Sequence, residues 1–140
     1  MFRDAYKSRR CIVPVSGFYE WTGPKGNKQP HIFTDAEGAP ILALAGLWDR
    51  WKDRATGDEI ESCTLIVTAA TEWMMPCHDR MPAVLQQAEI DRWLRGEMSA
   101  GELHPAPEAA FKERKVSKRM NNTRVGDDDP TVLEVEELDL

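Results

Sequence analysis

The chain has 140 residues, 41% hydrophobic and 30% charged, enough for one compact domain and short of two, in a globular mixture that excludes a disordered or membrane-embedded protein. Its net charge of −6 is uneven: residues 127–140 hold seven acids and no Lys or Arg, leaving 17 acids against 18 Lys and Arg in residues 1–126. A near-neutral body with basic clusters at residues 3–10 and 112–119 leaves local contact with phosphate open, the alternative being ordinary solvated surface.

Residues 11–15 are a β-branched run interrupted by Pro14, which predicts an edge strand or a bend, because proline cannot donate to a ladder. After Gly17, Phe18-Tyr19-Glu20-Trp21 has strand character. Residues 22–28, containing Gly-Pro-Lys-Gly-Asn, predict a turn, residues 31–34 the return strand, and residues 35–40 a second turn. Residues 41–47 are apolar throughout and predict a buried strand leading to Trp48. A hairpin-like connection at 53–58 precedes a strand over 60–68, with Leu65, Ile66 and Val67 at its centre. One helical turn fits 71–76, and 81–84 is apolar again. The spacing of Ile90, Trp93 and Leu94 predicts a helix over 86–95, ended by Gly96. Ser99 with Glu102 fits a capping box for a second short helix, Val116-Ser117 begins a last strand, and a polar loop at 121–130 leads to a partly ordered acidic end. The pattern predicts a β-rich α+β fold: a barrel-like antiparallel or mixed sheet core with short helices.

Residues 1–10 are charged with no apolar run behind them, and the longest apolar run, 41–47, is far short of a bilayer span. Cys11, Cys63 and Cys77 are odd in number and form no CxxC. Free thiols in the cytoplasm are therefore expected.

His31, His78 and His104 form neither HExxH nor a Cys/His zinc spacing, so no metal and no cofactor are expected. There is no GxGxxG, GxxxxGK[ST] or GxSxG motif. In Pro76-Cys77-His78-Asp79-Arg80-Met81-Pro82, a thiol, an imidazole, a carboxylate and a guanidinium follow one another. If this stretch is extended, Cys77 and His78 project to opposite faces, which argues against a Cys/His hydrolase. His78 and Arg80 then share a face suited to an anionic ligand. The alternative is a hydrogen-bonded turn histidine beside a surface arginine. Glu20, between Tyr19 and Trp21, is desolvated unless it points outward, and a carboxyl so raised suits proton transfer near neutral pH. Trp21 is either a stacking platform for a base or a core residue.

Four motifs in order, Arg9-Arg10-Cys11-Ile12-Val13-Pro14, Gly17-Phe18-Tyr19-Glu20-Trp21, Ala45-Gly46-Leu47-Trp48 and His78-Asp79-Arg80-Met81-Pro82, resemble the SOS-response-associated peptidase family. Residues 65–70, Trp93-Leu94, and Val116-Ser117 with Asn121 resemble its later elements, so the likeness covers essentially residues 2–130. The resemblance implies a DNA-damage response protein that binds single-stranded DNA and processes abasic sites. In the family, a cysteine exposed at the mature N-terminus forms a thiazolidine with the ring-opened sugar aldehyde, and the same site removes the initiator Met. It implies Glu20 and His78 as the assisting catalytic residues, Trp21 and Arg80 as DNA contacts, and a monomer that is cytoplasmic, or nucleoid-associated in a bacterium. Arg3, Arg9 and Arg10 are added as DNA contacts from charge.

This chain departs from the family at its start: Phe2 follows Met1, and no Asn-Ala-Arg motif occurs. On the resemblance, residues 1–126 are a partial domain lacking the family's N-terminal third, and 127–140 an acidic tail. The nucleophilic cysteine is then absent, and unpaired strand edges and an uncovered core are expected. A non-catalytic single-stranded-DNA-binding remnant, or an unrelated hydrolase using Cys77, are the alternatives.

Overall fold

The computed structural model describes residues 2–135, which form two α-helices and eight strands in the order α1 (Arg3–Ser8), β1 (Arg10–Val15), β2 (Phe18–Thr22), β3 (Gln29–Asp35), β4 (Leu42–Lys52), β5 (Glu59–Leu65), β6 (Val67–Ala69), β7 (Arg80–Pro82), α2 (Gln87–Leu94) and β8 (Phe111–Lys115). The strands make three antiparallel sheets, β1-β4-β5, β2-β3-β8 and β6-β7. The β-rich α+β reading holds; the sheets pack around a core without closing into a barrel.

Strand β4 is the shared wall between two hydrophobic clusters. Side chains alternate along a strand, so Leu42 and Leu44 enter a cluster with Phe33, Met74, Met81 and Phe111, while Ala45 and Leu47 enter a second with Ala5, Leu85, Trp93 and Met98. Burial on both faces is why residues 42–47 are apolar throughout, whereas Ile41, just before the strand, is 57% exposed. Trp93, fully buried, donates its indole N–H to the Cys11 carbonyl at 2.9 Å and ties α2 to β1. Truncating it to Ala costs about 3–5 kcal/mol. Helix α2 starts at a capping box of Gln86 and Glu89, but of its predicted apolar face only Trp93 and half-buried Ile90 are covered; Leu94 is 48% exposed.

Several elements differ from expectation. The strand over 60–68 is broken at Ile66, whose N–H donates to Ala45 O while its carbonyl accepts from Ala83, so the chain leaves the first sheet and pairs with β7. The last strand precedes Val116: β8 is Phe-Lys-Glu-Arg-Lys, with Phe111 alone buried, and so much charge hid its strand character. Helix α1 went unread because only Ala5 along it is buried. Ser99 and Glu102 do make the capping box, but for a single 3-10 turn, Ala100–Glu102. The helical turn at 71–76 is present and extends to His78, whose N–H donates to Met74 O. Pro14 lies on edge strand β1, as predicted. β5 is partnered on one side only, by β4, and all seven of its residues are exposed. Part of the acidic tail lies outside the described residues.

Candidate functional site

The register of the second sheet places the site. Glu20 lies opposite His31, and His31 opposite Lys115; Phe18 lies opposite Phe33, and Phe33 opposite Glu113. Opposed residues share a face, so one face carries Phe18, Glu20 and Thr22 from β2, His31 and Phe33 from β3, and Phe111, Glu113 and Lys115 from β8. Its apolar half is an aromatic cluster: Phe18 stacks on Phe33 with centroids 5.2 Å apart and meets Phe111 edge-on at 5.7 Å. Gly17 permits this entry, because a Cβ there would stand 2.7 Å from the Phe33 carbonyl oxygen.

The turn over 71–78 is laid on this face by Trp73, whose ring centroid is 5.6 Å from those of Phe33 and Phe111, and by fully buried Met74. Cys77 packs against the same core and His78 follows at the surface. Residues 58 positions apart are thereby brought together: burial pushes the Glu20 carboxyl above its ordinary value, and the His78 charge pulls it partly back.

The structure replaces the extended Cys77–Arg80 segment with a helical turn; the strand begins only at Arg80. The argument from opposed faces therefore does not apply to Cys77 and His78, but electrostatics reaches the same end. Burial, then the charges of Glu20 and Glu113, push the Cys77 thiol up, which leaves little thiolate for nucleophilic attack. His78 Nδ1 receives the Arg80 N–H at 3.0 Å, which puts the neutral ring's proton on Nε2. In the imidazolium, Nδ1–H has the Arg80 carbonyl and the Asp79 carboxylate, both at 3.2 Å, as acceptors. The ring thus has partners in both protonation states, and its side chain is 53% exposed.

Trp21 projects to the opposite face of β2 from Glu20. Its indole N–H donates to Asn121 Oδ1 at 2.8 Å, and Asn121 Nδ2 donates to the Lys28 carbonyl at 2.7 Å. With Gly26, Lys28 and Met120 these residues line an open cleft. β2 is the edge strand of its sheet, with that cleft on one face and Glu20 on the other. Arg80 is exposed and makes no ion pair among the described residues.

The three arginines added from charge sit elsewhere. Arg3 is exposed on α1, and Arg9 pairs with Asp49 at 3.2 Å. Arg10 is engaged within the fold: its guanidinium lies 4.3 Å from the centroids of both Tyr6 and Trp93 and donates to Tyr6 O at 2.9 Å, Met98 O at 2.6 Å and Trp93 O at 3.3 Å. Those donors join α1 to the end of α2. Alternation along β3 and β8 would have placed His31 and Glu113, which sequence reasoning passed over, beside Phe33 and Phe111 on the inner face, had β8 been recognised. Among the described residues no group of three His, Cys, Asp or Glu side chains is placed to hold a metal ion.

Residues 1–123 match the family described as SOS response associated peptidase (SRAP). The abasic site processing protein HMCES of Xenopus tropicalis is 32% identical over 141 residues, an alignment covering 85% of this chain and 42% of that protein. The abasic site processing protein YedK of Escherichia coli is 29% identical over 130 residues, covering 89% of this chain and 57% of that protein. A crystal structure of a Bacteroides thetaiotaomicron protein superposes with a TM-score of 0.86 at 30% identity, over 97% of this chain and 60% of that one. The chain thus spans between about two-fifths and three-fifths of the length of these relatives.

Proposed function

We propose, from the premise that this chain belongs to the SOS response associated peptidase family, that it is a DNA-damage response protein that binds single-stranded DNA and processes abasic sites. The Xenopus tropicalis and Escherichia coli relatives are named abasic site processing proteins. The observation that carries the proposal is that Glu20 on edge strand β2 and His78 on the overlying turn lie close enough for the charge of one to act on the other.

Glu20 serves as the proton shuttle, because a carboxyl raised by burial holds and releases its proton nearer neutrality than an exposed one. His78, with a proton available on Nε2, donates to the departing sugar oxygen. Arg80 takes a phosphate, and Trp21, fixed edge-on by Asn121, takes a base by stacking. Arg3 and Arg9 are the remaining cations of the basic end that offer charge to the strand.

The covalent step needs an aminothiol: the amine condenses with the sugar aldehyde, losing water to give an imine, and the thiol adds to the imine carbon to close a thiazolidine. Phe2 follows Met1, and the amines of Cys11, Cys63 and Cys77 are held in peptide bonds. None of the three can complete that ring, nor can any serve as the N-terminal cysteine of the autopeptidase reaction. The residues of this chain supply binding and proton transfer, and the second reading is a single-stranded-DNA-binding module without cross-linking. The partner is single-stranded DNA bearing an abasic site, bound by a cytoplasmic or nucleoid-associated monomer without metal or cofactor.

The test is an oligonucleotide carrying one abasic site. A band that survives heat and denaturant supports cross-linking. Retention in a native gel alone supports the binding module. No retention of single-stranded DNA under either condition refutes both.

A further inference from the structure

His31 is the one buried polar or charged residue among the described core, at 7% exposure, and both its nitrogens are engaged. Nε2 lies 2.7 Å from Thr22 Oγ1, and Nδ1 contacts Glu113 Oε1. The imidazole therefore links β2, β3 and β8 at the level of Glu20, its direct cross-strand neighbour. The face it occupies presents Glu20 from β2, Glu113 and Lys115 from β8, and Cys77 and His78 from the overlying turn. The carboxylates of Glu20 and Glu113 thus share the sheet face on which the proposed function relies. Left free, the 44% exposed Glu113 side chain would swing through the space a phosphate must enter, and like charge there opposes binding.

We propose that His31 is a positioning residue that holds the Glu113 carboxylate down against the sheet, so that Glu113 adds no further free negative charge to the face where Glu20 and His78 meet. Thr22 completes the clamp: its hydroxyl donates to Nε2 when the ring is neutral and accepts from Nε2–H when the ring is protonated. The tether also keeps Glu113 where its charge reaches Cys77, so Cys77 reports on the tether without any DNA. The consequence for DNA rests on the function proposed above; the tether itself does not.

The experiment uses the whole chain and the variants His31→Phe, Glu113→Gln and the double variant, with folding checked by thermal unfolding. Alkylation of Cys77 by iodoacetamide is followed by peptide mass spectrometry. Freeing or neutralising Glu113 removes one of the charges that push the Cys77 thiol up, so its thiolate increases and alkylation is expected to run roughly three-fold faster. That rise is expected in each single variant, and the double variant is expected to be no faster than Glu113→Gln, because His31 acts through Glu113. In native gels with the abasic oligonucleotide, His31→Phe weakens retention about three-fold, and adding Glu113→Gln restores it. An unchanged Cys77 rate in folded His31→Phe overturns the proposal, as does a double-variant rate equal to the product of the single effects, or a failure of Glu113→Gln to rescue retention. If the unsubstituted protein retains no oligonucleotide, the proposed function fails while the alkylation rates still decide the role of His31.

Discussion

Replacing Arg10 separates a fold-holding cation from a DNA-binding one. Its guanidinium packs against the rings of both Tyr6 and Trp93, which meet edge-on, and donates to the carbonyls of Tyr6, Trp93 and Met98. A cation–π contact contributes about 0.5–2 kcal/mol, and a hydrogen bond from a charged donor about 1.5–3 kcal/mol. These terms overlap on one side chain, so Arg10→Met is expected to cost about 3 kcal/mol net, at the upper end of the usual range for a single substitution. For a chain of this size that lowers Tm by about 10 °C. Arg10→Lys keeps the charge but not the planar fork, so it is expected to lose most of the same stability. The assay is urea unfolding of the three proteins, with single-stranded oligonucleotide retention measured well below each midpoint. Both variants should shift the midpoint and still retain DNA while folded. Refutation is the reverse: an unshifted midpoint with retention lost in Arg10→Met and kept in Arg10→Lys would make Arg10 a phosphate contact.

Glu20→Gln should be more stable than the unsubstituted protein at pH 7. Because the folded carboxyl is raised, the folded state binds more protons than the unfolded one, so stability falls as pH climbs from the unfolded value through the folded one. The advantage of the amide should disappear below about pH 4, where both states hold the proton; urea midpoints at pH 7 and 3.5 check the sign. Trp21→Ala should weaken single-stranded DNA retention by about five-fold or more, since a stacked base contributes about 1–3 kcal/mol. Asn121→Leu should give a smaller loss with indole fluorescence altered, because it frees the ring edge without removing the ring. Arg80→Ala should reduce the slope of log affinity against log salt by about 0.7, one single-strand phosphate contact; an unchanged slope in a salt titration removes Arg80 from the interface.

The periodic parts of the fold were legible in the sequence. Residues 41–47 read as a doubly buried strand, and β4 proved to be the wall between two clusters. Phe18–Trp21, the turn before His78 and the α2 helix were each carried by local pattern. Edge elements were not: β8, with Phe111 alone buried, and α1, with Ala5 alone buried, carry too little apolar periodicity to be distinguished from charged loops. Motif order pointed to Glu20 and His78 because residue type and spacing along the chain are sequence properties.

What lay beyond the chain's one-dimensional pattern was the company each side chain keeps. The register of β2 on β3 and of β3 on β8 set His31 and Glu113 beside Glu20, though Glu113 is 93 positions away. The fold also set the Arg10 guanidinium against two rings. Sequence by itself determined which groups could carry charge or bury surface, because that is intrinsic to the residue. Tertiary structure decided which of them are desolvated, paired or free, because desolvation and pairing depend on neighbours that only the folded chain supplies.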